Sequence, residues 1–188
     1  MNQEQLLAAL KVRDPRAVEE LVDLYGDRLS RSAFLLCGNE TEAQDLVQET
    51  FLQAIRSIHR FRGQSGIYTW LHSILLNLAR HYHRDRLHTV HDEGISLQIA
   101  SPSDDRPASL DTGMATSALQ QALAQLSSAH REVVILRYYE SMKLDEIAKL
   151  LGTSLGTVKS RLHYAIAELQ KHIPNEMNLF GPCGTNQI

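Results

Sequence analysis

Two clusters of side chains in this 188-residue chain have the types and spacing to meet nucleic acid. The first is Arg60-Phe61-Arg62-Gly63-Gln64-Ser65-Gly66, where two arginines bracket an aromatic ring and two glycines free the backbone to turn. Guanidinium groups meet phosphates and a ring stacks on a base of any identity, so the stretch suits an unpaired strand. The competing reading is a surface loop whose Phe61 tucks back into the core. The second cluster runs from Ser154 to Tyr164, with Leu155, Gly156, Thr157, Lys159, Ser160, Arg161 and His163 on its outer side. Short polar and cationic side chains near a helix N-terminus are what major-groove reading requires.

The elements that must hold these residues are helices. Ala43, Val47, Phe51, Ala54 and Ile58 recur at three- or four-residue spacing and form the buried face of one helix. Its opposite face carries Asp45, Gln48, Glu49, Leu52 and Arg56, a set that could meet another protein, although solvation alone accounts for most such faces. A second helix from about Ile67 buries Leu71, Ile74, Leu75, Leu78 and Tyr82. It holds Tyr68, Trp70, Asn77, Arg80, His81 and Arg84 on its other sides. Upstream, residues 1–12 read as a short helix or a frayed end. Asp14-Pro15 supplies a cap and first-turn proline for a helix that Gly26 interrupts or bends, and Gly38-Asn39 stops the next apolar run.

In the C-terminal half, Leu119, Leu123 and Leu126 and then Val133, Val134, Leu136 and Tyr138 restore helical periodicity. Residues 143–162 have helix-turn-helix grammar: Ile147, Ala148 and Leu151 face inward, Gly152 turns, Ser154 caps, and Val158 and Leu162 pin the second helix. An ordinary helical hairpin could mimic the pattern. Between the halves, residues 87–115 are rich in His, Ser, Asp, Pro and Gly, with five carboxylates against Arg106. They read as an acidic linker that cannot bury enough apolar surface to fold alone. Residues 175–188 read as a tail.

Composition narrows the function. The net charge is −3 and the pI about 6.3, yet residues 39–50 hold four carboxylates and no Lys or Arg. Residues 51–86 hold six arginines against Asp85. That local positive field is what steers a polyanion. No apolar run is long enough for a membrane span and no export signal opens the chain, so the expected location is the cytoplasm. Cys37 and Cys183 make no disulfide framework. His81, His83, His88 and His91 lack the companions and spacing of a metal site, and no cofactor is expected. GxxxxGK[ST], GxGxxG, HExxH and GxSxG are all absent, so nothing argues for an enzyme.

The two motif sets together resemble the small bacterial sigma factors of RNA polymerase known as the extracytoplasmic-function group. The matching runs are DLVQETFLQAI, RFRG, Tyr68-Thr69-Trp70-Leu71 and Asn77-Leu78-Ala79 in the front half, and DEIAKLLGTSLGTVKSRLH in the back half. The resemblance covers roughly residues 14–173, less the linker. It implies an all-α fold of two small helical domains, residues 1–86 (region 2) and 116–174 (region 4), joined by a flexible linker over 87–115 that runs toward the polymerase active-site channel. It implies no catalysis, and core RNA polymerase, promoter DNA and an anti-sigma factor as partners.

By the same resemblance, Asp45, Gln48, Glu49, Leu52 and Arg56 face the polymerase clamp. Arg60, Phe61, Arg62, Gln64, Ser65, Tyr68, Trp70, Asn77, Arg80 and Arg84 take the minus-ten element, holding an extruded base. Ser154, Leu155, Gly156, Thr157, Lys159, Ser160, Arg161, His163 and Tyr164 take the minus-thirty-five element. The chain departs from the family pattern at Lys143, where Ser or Thr usually caps, and at Tyr164 and Ile166, where arginines are common. His81 replaces a frequent Asp, and Leu76 a frequently basic residue. The alternative reading is a polymerase-independent regulator that binds operator DNA as a dimer through the same helix pair. A weaker one is a metal-responsive helical adaptor using the histidines.

Overall fold

The computed structural model describes residues 2–63, 65–93 and 119–172, with the side chains of 85–93 excepted. Every regular element among them is helical, and the helices group into two compact units on either side of residues 94–118.

The N-terminal unit contains α1 (Gln3–Lys11), α2 (Pro15–Cys37), α3 (Glu40–Ser57), a 3-10 turn (Ile58–Arg60) and α4 (Ile67–Glu93). Its helix ends follow from local chemistry. The Asn2 side chain accepts the Gln5 N–H at 2.8 Å while the Gln5 side chain accepts the Asn2 N–H at 3.1 Å, closing a reciprocal cap on α1. With that cap and with Leu6 and Leu10 buried, α1 is a packed element and not a frayed end. Asp14 caps α2 ahead of Pro15, and Gly38, at φ 76°, closes it in the left-handed conformation. Asn39 then accepts the Glu42 N–H at 3.1 Å to start α3 one residue before Thr41.

Two expectations need correction here. Gly26 does not interrupt α2, which is continuous, and a Cβ at that position would meet Val22 at an ordinary 3.6 Å. Helix α4 runs on to Glu93 and not to residue 86, so the start of the expected linker is helical; the remainder of the linker lies outside the described residues.

All five residues of the expected α3 stripe are buried. In α4, Leu71, Ile74 and Leu75 are buried and Leu78 half-buried, but Tyr82 is exposed. His72, Leu76 and Ala79 are buried instead. The reason is that α4 packs on both α2 and α3, so its buried arc is wider than a single stripe.

The C-terminal unit contains α5 (residues 119–125), α6 (Ser128–Val134), a π-helical segment (Ile135–Tyr139), α7 (Leu144–Leu151) and α8 (Leu155–His172). Arg131 ties α5 to α6: its guanidinium donates to the carbonyls of Leu123 at 2.8 Å, Ala124 at 3.2 Å and Leu126 at 3.3 Å, at and just beyond the C-terminal end of α5. The π segment ends where the Glu140 N–H reaches the Ile135 carbonyl at 2.9 Å. It shifts the phase of the apolar repeat, so Ile135 and Leu136 are buried while Tyr138, expected inside, is exposed.

Candidate functional site

Helix α3 commits Ala43, Val47, Phe51 and Ala54 to the core and turns Asp45, Gln48, Leu52 and Arg56 outward, with Glu49 half-exposed beside them. Glu40 and Glu42 lie in its first turn, where the helix dipole favours negative charge. Arg56 approaches Glu49 at 3.8 Å, and both side chains are largely in water, so the pair adds little stability and leaves the face free to exchange partners. Sequence periodicity did not reveal that this face continues into an open groove of about 680 Å³ between α2 and α3. Val22, Asp23, Asp27, Phe51, Leu52 and Gln48 are among its lining residues. The α2 contribution had no local signal, because Val22 and Asp23 acquire meaning only when α3 packs beside them.

Of the two readings of the Arg60–Gly66 loop, the structure takes the one in which Phe61 tucks back into the core. Phe61 is only 8% exposed, and its ring packs on Trp70 with centroids 5.2 Å apart at 47°. It therefore does not offer a face to a base; burial in the core and the tilted aromatic pair hold it in. Phe61 and Trp70 instead fix the two ends of the loop against each other. Arg60, Arg62 and Ser65 are exposed, and Gly63 takes φ 71°, a left-handed turn that a side chain would strain. Gln64 lies outside the described residues.

Tyr68 is half-buried and also engaged: the Arg28 guanidinium sits 4.1 Å from its ring centroid, Tyr25 lies at 5.7 Å and His72 at 5.9 Å. Burial raises the Tyr25 pKa, so that phenol stays neutral across the usual range. Arg28 is a cation at this site that the sequence reading missed, since the only clue is a tyrosine on another helix.

Along α4, Trp70, Asn77 and Arg84 recur at seven-residue steps with Arg80 between them, forming one stripe that leads away from the loop. Asn77 and Arg84 are exposed, Trp70 and Arg80 half-buried. Arg84 also approaches His81 Nδ1 at 2.6 Å. These cations and the two loop arginines lie in one unit with no carboxylate among the residues of the stripe.

In the C-terminal unit, Ile147 and Val158 are fully buried and Ala148 and Leu162 nearly so, which locks α7 against α8. Gly152, at φ 62°, makes the turn, and the Thr153 N–H reaches the Ala148 carbonyl at 3.0 Å. Lys143 cannot cap α7 through its own side chain. The Glu146 carboxylate accepts the Lys143 N–H at 2.9 Å, which supplies half of a capping box.

Ser154 caps α8, its Oγ accepting the Thr157 N–H at 3.0 Å and lying 2.8 Å from Thr157 Oγ1. Ser160 Oγ donates back to the Thr157 carbonyl at 3.0 Å. The hydroxyls of Ser154 and Ser160 are thus already spent on the helix. Leu155, Gly156, His163 and Tyr164 are exposed and Thr157, Lys159 and Arg161 half-exposed, so the outward set is presented as the sequence indicated. The His163 and Tyr164 rings meet edge-on at 5.7 Å. Replacing Ser154 by alanine is expected to destabilise the C-terminal unit by about 1 kcal/mol, seen as a lower denaturant midpoint with an unchanged slope. An unshifted midpoint would show that the cap contributes nothing.

The comparisons with known proteins agree with this arrangement. The model of sigma-70 region 2 matches residues 21–89 and that of sigma-70 region 4 matches residues 116–169. Among curated relatives, the RNA polymerase sigma factor YlaC of Bacillus subtilis is 31% identical over 166 residues, which is 87% of this chain and 95% of that protein. The ECF RNA polymerase sigma factor SigL of Mycobacterium tuberculosis is 34% identical over 152 residues, 80% of this chain and 85% of that one. Among solved structures, the sigma factor RpoE in complex with the anti-sigma factor NepR from Bartonella quintana superposes with a TM-score of 0.70. It has 28% identity and covers 81% of this chain and 94% of that one. CnrH in complex with the cytosolic domain of CnrY gives a TM-score of 0.66 at 26% identity, covering 89% and 94%. The dimeric operator-binding regulator and the metal-responsive adaptor are set aside, because both sigma regions occur here in one chain and in family order. The chain therefore belongs to the RNA polymerase sigma factors of the extracytoplasmic-function group, non-enzymatic factors of transcription initiation.

Proposed function

We propose that this chain docks on core RNA polymerase through the exposed face of α3, centred on Asp45, Gln48, Glu49, Leu52 and Arg56. Residues 1–86 serve as the polymerase-binding and minus-ten domain, with α4 extending it to Glu93. The cations Arg60, Arg62, Arg80 and Arg84 follow the phosphates of the opened strand, and Ser65, Trp70 and Asn77 lie close to the bases. Gln64 belongs to the same set by its place in the loop. Phe61 and Tyr68 act from beneath, as positioning residues. Unpairing a base costs a few kcal/mol, which contacts to the extruded base and its strand can offset.

The C-terminal unit, within 116–174, addresses the upstream element through α8. Thr157, Lys159 and Arg161 face the groove with Leu155 and Gly156, and Ser154, Ser160, His163 and Tyr164 lie along its edge. An anti-sigma factor holds the chain inactive, as the solved relatives bound to NepR and CnrY suggest. Among the described residues no helix is long and apolar enough to cross a membrane, and the protein works in the cytoplasm beside its polymerase.

The observation that carries this reading is α8 itself. Its cap and its buried Val158 and Leu162 are satisfied within the unit, yet Lys159 and Arg161, on the two flanks of that buried stripe, stay partly open to solvent beside the exposed Gly156, Ser160 and His163. Runoff transcription with core polymerase on genomic fragments tests the whole proposal: discrete starts appear only when the chain is added. Arg161→Ala is expected to weaken discrimination at one base pair of the upstream element by about 1–3 kcal/mol. Equal losses on specific and random duplex would remove Arg161 from the reading set.

A further inference from the structure

Gly156 is a glycine that the fold does not require. Gly38, Gly63 and Gly152 take positive φ angles and close turns, whereas Gly156 is the second residue of α8 and has an ordinary helical backbone. A Cβ placed on it would meet only Ser154 Oγ, at 3.7 Å, a normal van der Waals separation. Alanine would fit there without moving anything. In helices glycine is also less favourable than alanine, by up to about 1 kcal/mol in an interior position. The position is exposed, so no packing within the unit offsets that disadvantage.

What the missing side chain does provide is bare backbone on the outer side of the first turn. Leu155, 43% exposed, stands on one side of it and Thr157 on the other. Ser154 Oγ, held by the Thr157 N–H, borders the gap at ordinary contact distance from where a Cβ would stand. The first turn of α8 thus offers an incoming duplex an apolar side chain next to a strip with nothing standing above the main chain.

Resting on the assignment of α8 as the groove-reading helix, we propose that Gly156 is a specificity-determining residue. Its Cβ-free strip receives the edge of one A·T base pair of the upstream element, with the thymine methyl against Leu155. Apolar side chains pair with that methyl in the major groove, and a backbone without a Cβ lets the base edge come closer than any other residue would allow.

The test uses holoenzyme reconstituted from full-length chain and core polymerase. The probes are a promoter duplex recovered by runoff transcription, its single-base-pair variants across the upstream element, and versions with thymine replaced by deoxyuridine. Gly156→Ala is expected to bind the selected duplex about 10-fold more weakly while binding random duplex within about twofold of wild type, since a Cβ blocks only the close approach. Gly156→Ser should lose more. The lost discrimination should be confined to one or two adjacent base pairs, where deoxyuridine also weakens the wild type but not Gly156→Ala. The thermal midpoint should be unchanged or higher. Full wild-type discrimination in Gly156→Ala at every position would overturn the inference, as would an equal loss on random duplex. If Arg161→Ala, measured in parallel, also left discrimination intact, the assignment of α8 would fall with it; selective loss in Arg161→Ala alone would overturn only the role of Gly156.

Discussion

Reversing Asp45 and Glu49 together to lysine is expected to lower affinity for core RNA polymerase by more than about 100-fold, because close charge pairs across protein interfaces contribute on the order of 1.5 kcal/mol or more each. Both side chains lie on the solvent face of α3, opposite the buried Ala43, Val47, Phe51 and Ala54. The substitutions remove two negative charges and add two positive ones on the proposed docking face. At position 49 the new ammonium would also face Arg56, which now approaches the Glu49 carboxylate at 3.8 Å.

Neither site caps the helix, since Asn39 does so, and neither fills the core. Exposed substitutions of this kind change stability by about 0.5 kcal/mol or less, so the helical circular dichroism signal and the thermal midpoint should stay near wild type. DNA binding through α8 should persist. Fluorescence anisotropy with labelled chain and core polymerase reads the affinity, and a wild-type value for the double variant would exclude this face as the docking surface.

Phe61→Ala is expected to destabilise the N-terminal unit by about 3 kcal/mol, whereas Phe61→Leu should cost only about 1 kcal/mol. The ring is buried against Trp70, and alanine leaves a cavity at the root of the Arg60–Gly66 loop while leucine fills most of it. The two variants separate positioning from base stacking. If Phe61 acts from beneath, Phe61→Leu holds the loop and opens promoter DNA at nearly the wild-type rate, followed by the fluorescence of 2-aminopurine in the minus-ten element. If the ring swung out to stack on a base, leucine would lose about 1–3 kcal/mol of that contact and opening would fall by roughly 5- to 150-fold despite the retained stability. The latter result would overturn the positioning role.

Periodicity placed the central stripe of each packed helix. The Ala43–Ile58 repeat on α3, and Ile147, Ala148, Val158 and Leu162 in the helix pair, occupy the interior as their spacing indicates. It missed residues flanking a stripe, such as Leu46 and Thr50 on α3, and failed where the phase shifts. Helix α4 buries His72, Leu76 and Ala79 because two helices cover it, and the π segment after Val134 turns Tyr138 out to solvent. Capping chemistry was legible at Asp14, Gly38, Gly152 and Ser154, since each acts on backbone within a few residues of itself.

The sequence by itself determined the helical class, the core stripes, the turn of the helix pair and the outward set on α8, because all of these depend on neighbours one or two helical turns away. Only the tertiary structure decided which candidate side chains remain open to a partner. Phe61 is taken by Trp70, Tyr68 is covered by Arg28 from α2, and the α3 face continues into a groove whose other wall is α2. The physical reason is that a side chain's availability depends on what packs against it, and Arg28 meets Tyr68 across two helices through a proximity that no local repeat encodes.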